Sequence, residues 1–132
     1  MQDSPSAAEL LDAVAAYLFS ELRPVAPREQ RFRVLIAANI CATLSRELRA
    51  GPEPSLRDLT GFRKLLGEAP AAEPVVPGLD PEVLAREAAR ELADRIRAGG
   101  FDDRLGETVA VLSEHVRRKL EITRPDYPVV RI

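Results

Sequence analysis

Only one cysteine and one histidine, Cys41 and His115, are present among the side chains that most often act as nucleophiles or zinc ligands. Zinc sites need several such ligands. A Cys–His nucleophilic pair needs a partly exposed thiol, whereas Cys41 lies in the most apolar part of the chain. Leu112 stands three residues before His115, so the Glu-x-x-His motif of di-iron bundles is also missing. The sequence predicts no catalytic residue, metal or cofactor, and His115 is expected to be a boundary residue of its helix.

One amide, Asn39, interrupts the apolar run RVLIAANICATL at residues 33–44. Because a buried amide without hydrogen-bond partners is costly, we expect Asn39 to be buried and paired. Thr43, one turn later, and Arg31 are candidate partners. Two interpretations stay open. Asn39 either fixes how the helices dock, or it faces a ligand in a pocket between helices.

Arginines flank the same run, with Arg31 and Arg33 before it. Arg33 is expected to be partly buried because its neighbours at helical spacing are apolar. A guanidinium fork in that position suits a carboxylate or another anion. The alternative is a structural ion pair between Arg33 and Glu9, Asp12 or Glu47. The candidate ligand-binding residues are therefore Asn39, Arg33, Arg31 and Thr43.

The C-terminal segment PDYPVVRI is predicted to be nonhelical, because Pro125 and Pro128 keep it extended. Tyr127 has an apolar ring with a polar tip, and it is expected to dock back onto the helices. Alternatively, the segment YPVVRI adds to a partner chain, either another copy or a different protein. Tyr127 and Pro125 are the candidate contact residues.

Proline and glycine mark the ends of five helical patterns. The patterns run over about residues 6–23, 28–50, 56–66, 80–98 and 103–123. Ser6 with Glu9 forms a capping box, and the first pattern is expected to break at Pro24. The second is apolar on nearly every side, which predicts a central helix surrounded by others. The third is expected to begin at Ser55 and Asp58, and the last to pack through the stripe Leu105, Val109, Leu112, Val116 and Leu120.

No strand pattern competes, so the predicted fold is an all-α, single-domain helical bundle over residues 1–132. It has four long helices and one short one, a Pro-rich connecting loop at 68–78 and the nonhelical tail at 124–132. A chain of 132 residues is long enough to bury a core without disulfides or metal.

Charge and hydropathy restrict the partners. The net charge is −2, and acidic and basic residues alternate along the predicted helices. This pattern argues against nucleic acid as a binding partner. The N-terminal residues lack the pattern of a signal peptide, and no apolar run approaches the ~20 residues of a membrane span. A single cysteine gives no reason for an oxidising compartment, so we expect a cytoplasmic protein without membrane contact.

Four stretches together resemble a known family: AAELLDAVAAYL, RFRVLIAANICATLSREL, LADRIRAGGFDD and RRKLEITRPDY. They are similar to a family of small bacterial helical proteins catalogued as domain of unknown function 6285. The resemblance spans about Gln2 to Tyr127 and is poor from Pro52 to Pro77. It implies gene neighbours that encode acyl-CoA dehydrogenases and kinase-like proteins, and hence an accessory role in acyl-CoA or carboxylic-acid catabolism.

Three functions remain as hypotheses. The first is a noncatalytic interaction or accessory module, with an acyl-CoA dehydrogenase, a kinase-like protein or a second copy of the chain as partner. It predicts a large exposed apolar patch. The alternative is a binding protein for a small carboxylate or acyl-CoA with a pocket near Asn39. An enzyme with an unrecognised site is third and predicts a cluster of perturbed pKa values in a cleft.

Overall fold

The computed structural model describes residues 4–68 and 78–128, and every regular element in them is helical. A π-helical turn, Leu18–Leu22, and a 3₁₀ turn, Asp102–Arg104, accompany the α-helices. The predicted all-α class is confirmed. Most of the predicted loop at 68–78, and residues 129–132 of the tail, lie outside the described residues. The α-helices are α1 Ala7–Tyr17, α2 Arg23–Val25, α3 Arg31–Ala50, α4 Glu53–Leu66, α5 Pro81–Arg97 and α6 Leu105–Thr123.

Helix ends follow the local signals of the sequence. The Ser6 hydroxyl accepts from the Glu9 amide, and the Ser6 amide donates to the Glu9 carboxylate at 2.7 Å, which completes the predicted capping box of α1. Asp80 caps α5 by accepting from the Glu82 amide at 2.9 Å. Gly67 ends α4 with φ +82° in the left-handed conformation.

The first helical segment continues past its predicted break at Pro24. In the π turn, the Arg23 amide donates to the carbonyl of Leu18, five residues earlier. A proline ring collides with the preceding turn of a regular α-helix and offers no amide hydrogen. The wider π turn before Pro24 relieves that conflict. The helical segment therefore ends after Val25, which lies outside the predicted boundary.

The chain divides into two compact units. Unit 1 comprises Met1–Gly51 and Ile122–Pro125, and unit 2 comprises Pro52–Glu121 and Asp126–Ile132. Each unit is described by itself, and the single-domain organisation stays a prediction. In unit 1, α1 packs along α3. The residues buried in the described part of unit 1 are all small: Ala8, Ala26, Ala38 and Ser45.

Unit 2 holds the large buried side chains of the described residues. Phe62 of α4 is 2 % exposed and Leu92 of α5 is 1 % exposed. At Gly61 an added Cβ would lie 3.2 Å from a methyl group of Val111, so α4 and α6 approach closely there. The core consists of Leu59, Phe62, Leu65, Leu66, Ala85, Ala88, Leu92 and Phe101.

The expectation that α3 is surrounded by other helices is wrong. Ile36 is 42 % exposed, Ile40 53 % and Leu44 43 %. The buried side of α3 carries Ala38 and Ser45 instead. When a helix has apolar residues on all sides, its sequence does not show which side packs against the protein. In α3 the packed side carries the smallest residues.

Two further expectations are corrected in unit 2. Leu105, Val109 and Val116 of the predicted packing stripe of α6 are exposed, whereas Leu112 of the same stripe packs against the core. Thr108 and Val111 also lie inward, outside the predicted stripe. Helix α4 begins at Glu53, so Asp58 stands inside the helix and not at its start.

Candidate functional site

Asn39 does not occupy the buried position that the sequence predicts, because it is solvent-exposed on α3. Its amide therefore needs no protein partner. Thr43 is half-buried, and its hydroxyl accepts a hydrogen bond from Arg46 at 3.3 Å. A role for Asn39 and Thr43 in ligand binding stays a prediction.

Arg31 closes the turn between α2 and α3. Its Nε donates to the carbonyl of Ala26 at 3.0 Å, and its Nη2 donates to the carbonyl of Pro24 at 3.1 Å. These carbonyls end a helical segment and have no partner further along it. Arg33 is exposed, so its expected partial burial is wrong. Within residues 4–68 and 78–128, no side-chain hydrogen bond joins any of Arg31, Arg33, Asn39 and Thr43 to another.

The two candidate residues of the C-terminal segment are accessible. Tyr127 is 48 % exposed, and Pro125 is exposed. The remaining residues of YPVVRI after Pro128 lie outside the described residues. Both the docked and the partner-binding interpretations of this segment stay predictions.

Asp12 pairs with Arg49, and not with Arg33, in a contact that we call the interhelical clasp: Asp12, Ser45, Arg49 and the carbonyl of Ala8. The Ser45 hydroxyl, 0 % exposed, donates to the Ala8 carbonyl at 3.0 Å and accepts from Arg49 Nη1 at 2.6 Å. Arg49 Nη2 donates to Asp12 Oδ2 at 2.5 Å. The clasp orients α1 on α3 through polar contacts where only small side chains are buried.

Acid is expected to open the clasp. The Arg49 guanidinium holds the pKa of Asp12 below its ordinary value. A carboxyl with a lowered pKa in the folded state stabilises the fold above its unfolded pKa, and that contribution disappears as the pH falls through the lowered pKa. The melting temperature should therefore fall between about pH 5 and pH 2, with a shallower fall in Asp12→Asn. Thermal melts across that range measure both.

Glu87→Gln is the matched control for that experiment, because it removes an exposed carboxylate of α5 that takes no part in the clasp. Its melting temperature should follow the wild-type acid dependence. An Asp12→Asn profile that coincides with the wild type would show that the clasp contributes nothing to the acid response.

Unit 1 also presents an exposed row of large hydrophobic residues on α3, which we call the apolar stripe. Its members recur every four residues and are 42 to 68 % exposed: Phe32, Ile36, Ile40, Leu44 and Leu48. Leu44 and Leu48 line a hollow of about 340 Å³ together with Leu11 of α1. The stripe therefore extends onto α1 across this hollow.

A second polar constellation, in unit 2, joins α4 to α6; we call Asp58, His115 and Arg118 the polar cluster. Asp58 Oδ2 lies 2.7 Å from His115 Nδ1, and Asp58 Oδ1 accepts from Arg118 Nε at 2.9 Å and from Nη2 at 2.5 Å. The His115 ring also contacts Phe62 edge-on, with centroids 5.1 Å apart. The carboxylate side chain is 10 % exposed and that of Arg118 is 15 % exposed.

The cluster was not predicted from the sequence, although a signal is present in it. His115 and Arg118 are three residues apart, which places them on one face of a helix. Asp58 was interpreted as a helix start, so it was not considered as a buried partner. The pairing satisfies both carboxylate oxygens and occupies one nitrogen of the imidazole, which is the arrangement of an interhelical anchor.

A family model described as "Domain of unknown function (DUF6285)" matches residues 24–127. The chain belongs to the DUF6285 family. The matched range contains α3 to α6, with the apolar stripe and the polar cluster, whereas α1 precedes it. No curated protein and no solved structure matches the chain.

In this DUF6285 chain, residues 4–68 and 78–128 contain no group of three or more His, Cys, Asp or Glu side chains placed to hold a metal ion. Within those same ranges, no helix has the length and hydropathy that a membrane crossing requires. Arg95 and Arg104 line a hollow of about 300 Å³ at the end of α4. Their guanidinium groups donate to the carbonyls of Leu66 and Leu65 at 3.3 and 3.2 Å, and so cap that helix.

Proposed function

We propose that this DUF6285 protein is a noncatalytic protein-interaction module with an accessory role in acyl-CoA or carboxylic-acid metabolism. The apolar stripe on α3 is the observation that carries the interaction role. It presents five large hydrophobic side chains, each at least 42 % exposed, on one helix. Scattered exposed hydrophobic residues are ordinary, whereas a contiguous row of this kind is typical of a protein-binding surface.

The composition of unit 1 supports the same proposal. Its described buried residues are three alanines and a serine, which remove little apolar surface from water. The large side chains of α1 and α3 could contribute far more stabilisation if another protein covered them. A binding partner would therefore supply hydrophobic burial that the α1–α3 pair does not supply from its own residues.

The partner class comes from the family resemblance. Genes of the family are expected beside those of acyl-CoA dehydrogenases and kinase-like proteins, and these enzymes are the proposed partners. The noncatalytic part of the proposal is consistent with the polar cluster, in which Asp58 and Arg118 are committed to each other.

The alternative function, a carboxylate or acyl-CoA binding protein with a pocket near Asn39, has less support. Asn39 is exposed, and the Arg31 guanidinium donates to two backbone carbonyls. In the part of the chain that the structure describes, no side-chain hydrogen bond joins Arg33 or Thr43 to Asn39 or Arg31. An anion near Asn39 would have to be bound without the enclosed site that such ligands usually occupy.

The decisive experiment uses the purified full chain with a purified acyl-CoA dehydrogenase and a purified kinase-like protein from the same organism, the two partner classes that the family resemblance implies. Binding of each enzyme to immobilised chain is measured by interferometry. We expect a complex with one of them, and a loss of about 100-fold in affinity for Ile40→Glu, because a carboxylate at the centre of the stripe must be desolvated.

Asn39→Glu is the matched control, since it adds the same charge at the neighbouring exposed position of the same helix. It should leave the affinity within about threefold of the wild type. No complex with either enzyme would overturn the accessory role. A loss confined to Asn39→Glu would contradict the stripe as the docking surface and support a site at Asn39.

A further inference from the structure

We propose that the apolar stripe pairs with the stripe of a second copy of this chain, α3 against α3, around a two-fold axis at Ile40. This inference rests on the proposed function, in which the stripe is a protein-docking surface, and it names the partner. The second copy then covers the stripe, so an enzyme would bind another surface of the dimer and would depend on the stripe only through dimer formation. Three properties of the stripe select a second copy: its symmetry, its flanking charges and its spacing.

The stripe is symmetric about its central residue. Ile36 and Leu44 lie four residues to either side of Ile40, and Phe32 and Leu48 lie eight residues to either side. A two-fold axis at Ile40 runs the two helices in opposite directions and places each position opposite its mirror position. Ile40 then meets Ile40, and Ile36 meets Leu44 of the second copy, whereas Phe32 and Leu48 point about 80° to either side of Ile40 and border the contact. A two-fold interface requires this self-complementarity, because the same patch serves on both copies.

Charged residues beside the stripe obey the same symmetry. Arg33 and Glu47 each lie seven residues from Ile40, on opposite sides, and both are exposed. Within residues 4–68 and 78–128, neither forms an ion pair. Around the proposed axis, Arg33 of one copy is opposite Glu47 of the second copy, about 10 Å from the axis along the helix. Both side chains are long enough to bridge the two helices at that distance.

The spacing of the stripe suits packing against a second helix. Residues spaced by four form a ridge that packs into the equivalent groove of a second helix, which is the commonest class of helix packing. Ile36 and Leu44 lie within about 40° of the direction of Ile40 around α3. These three side chains are 42, 43 and 53 % exposed, and they give the contact an apolar centre.

The test is the self-association of the purified full chain, measured by sedimentation equilibrium. The wild type should be a dimer at micromolar concentration. Arg33→Glu places a carboxylate opposite Glu47 of the second copy at both ends of the interface and should weaken dimerisation by at least about tenfold. The double substitution Arg33→Glu with Glu47→Arg exchanges the charges and should restore the dimer to within about threefold. Arg90→Glu, an exposed charge reversal on α5, is the control and should leave it unchanged.

A cross-linking measurement tests the position of the axis independently of stability. In a Cys41→Ser background, Ile40→Cys places two thiols at the axis, where oxidation should join the copies by a disulfide. Asn39→Cys in the same background turns its thiol about 100° from the direction of Ile40 and should give at least about tenfold less cross-linked dimer. Equal cross-linking from both positions would contradict the axis at Ile40.

Two outcomes would overturn the inference: a monomeric wild type at about 100 μM, or a double substitution as weak as Arg33→Glu alone. These failures are distinguishable from failure of the proposed function. A monomer that still binds the dehydrogenase or the kinase-like protein removes only the second copy as partner. A dimer that binds neither enzyme keeps this inference and removes the accessory role.

Discussion

Replacing Phe62 by alanine should lower the free energy of unfolding by about 3–5 kcal/mol. The Phe62 side chain is 2 % exposed at the centre of the unit 2 core, and its ring contacts His115. The change removes buried apolar surface and leaves a cavity between helices that meet rigidly at Gly61 and Val111. Urea unfolding followed by circular dichroism measures the loss.

Phe19→Ala is the matched control, because Phe19 is 51 % exposed and its ring is covered on one face by the Arg23 guanidinium. It should cost less than about 1.5 kcal/mol. Equal losses for the two variants would show that Phe62 does not occupy a packed core. A loss for Phe62→Ala with a reduced denaturant slope would instead indicate that unit 2 no longer unfolds cooperatively.

Removing the carboxylate of Asp58 should be as damaging, at about 3–5 kcal/mol for Asp58→Ala. The change leaves the Arg118 guanidinium, 15 % exposed, without the carboxylate oxygen that accepts from its Nε and Nη2, and it removes the partner of His115 Nδ1. A buried charge without a partner costs far more than the pair contributes when intact. The same urea titration measures the effect.

Asp94→Ala tests whether burial is the reason. Asp94 pairs with Arg97 at 2.8 Å, but these side chains are 78 and 73 % exposed, so this loss should stay below about 1 kcal/mol. Adding Arg118→Met to Asp58→Ala should recover part of the stability, since the unpaired charge is then removed. If Asp58→Ala costs no more than Asp94→Ala, Arg118 escapes into solvent and the cluster is not an anchor.

The sequence predicted the helices well because their ends are marked by local chemistry. Ser6 with Glu9, Asp80 with Pro81, and Gly67 act through residues only a few positions away, so they can be recognised without any tertiary information. Pro24 is the exception. Its effect depended on whether the preceding turn could widen, and nothing local in the sequence distinguishes a break from a π turn.

The packing faces were predicted less well, for a tertiary reason. Helix α3 is apolar on several sides, and the covered side proved to be that of Ala38 and Ser45, where the helices approach most closely. On α6, polar residues lie inward because Asp58 on α4 pairs with them. Hydrophobic periodicity cannot anticipate a face that is defined by a distant acid.

In the candidate site, too, the features that depend on tertiary packing were predicted less well than those that depend on local sequence. Asn39 and Arg33 were chosen because apolar neighbours suggested burial, and both are exposed. An exposed apolar patch was predicted for an interaction module. The sequence did not predict that this patch lies on α3. Asp58 was overlooked because a carboxylate near a helix start usually has a local capping role.

The alanine-and-serine contact between α1 and α3 has a consequence for heat capacity. Separation of these helices exposes less apolar surface than opening of the unit 2 core, because the fully buried residues are Ala8, Ala38 and Ser45 and larger side chains such as Leu11 and Leu35 are only half-buried. The heat capacity of unfolding rises with newly exposed apolar surface, so this step contributes less of it than the core does. The stability of the α1–α3 contact should therefore vary gently with temperature, while the stability of the Phe62 core has the strong curvature of hydrophobic burial.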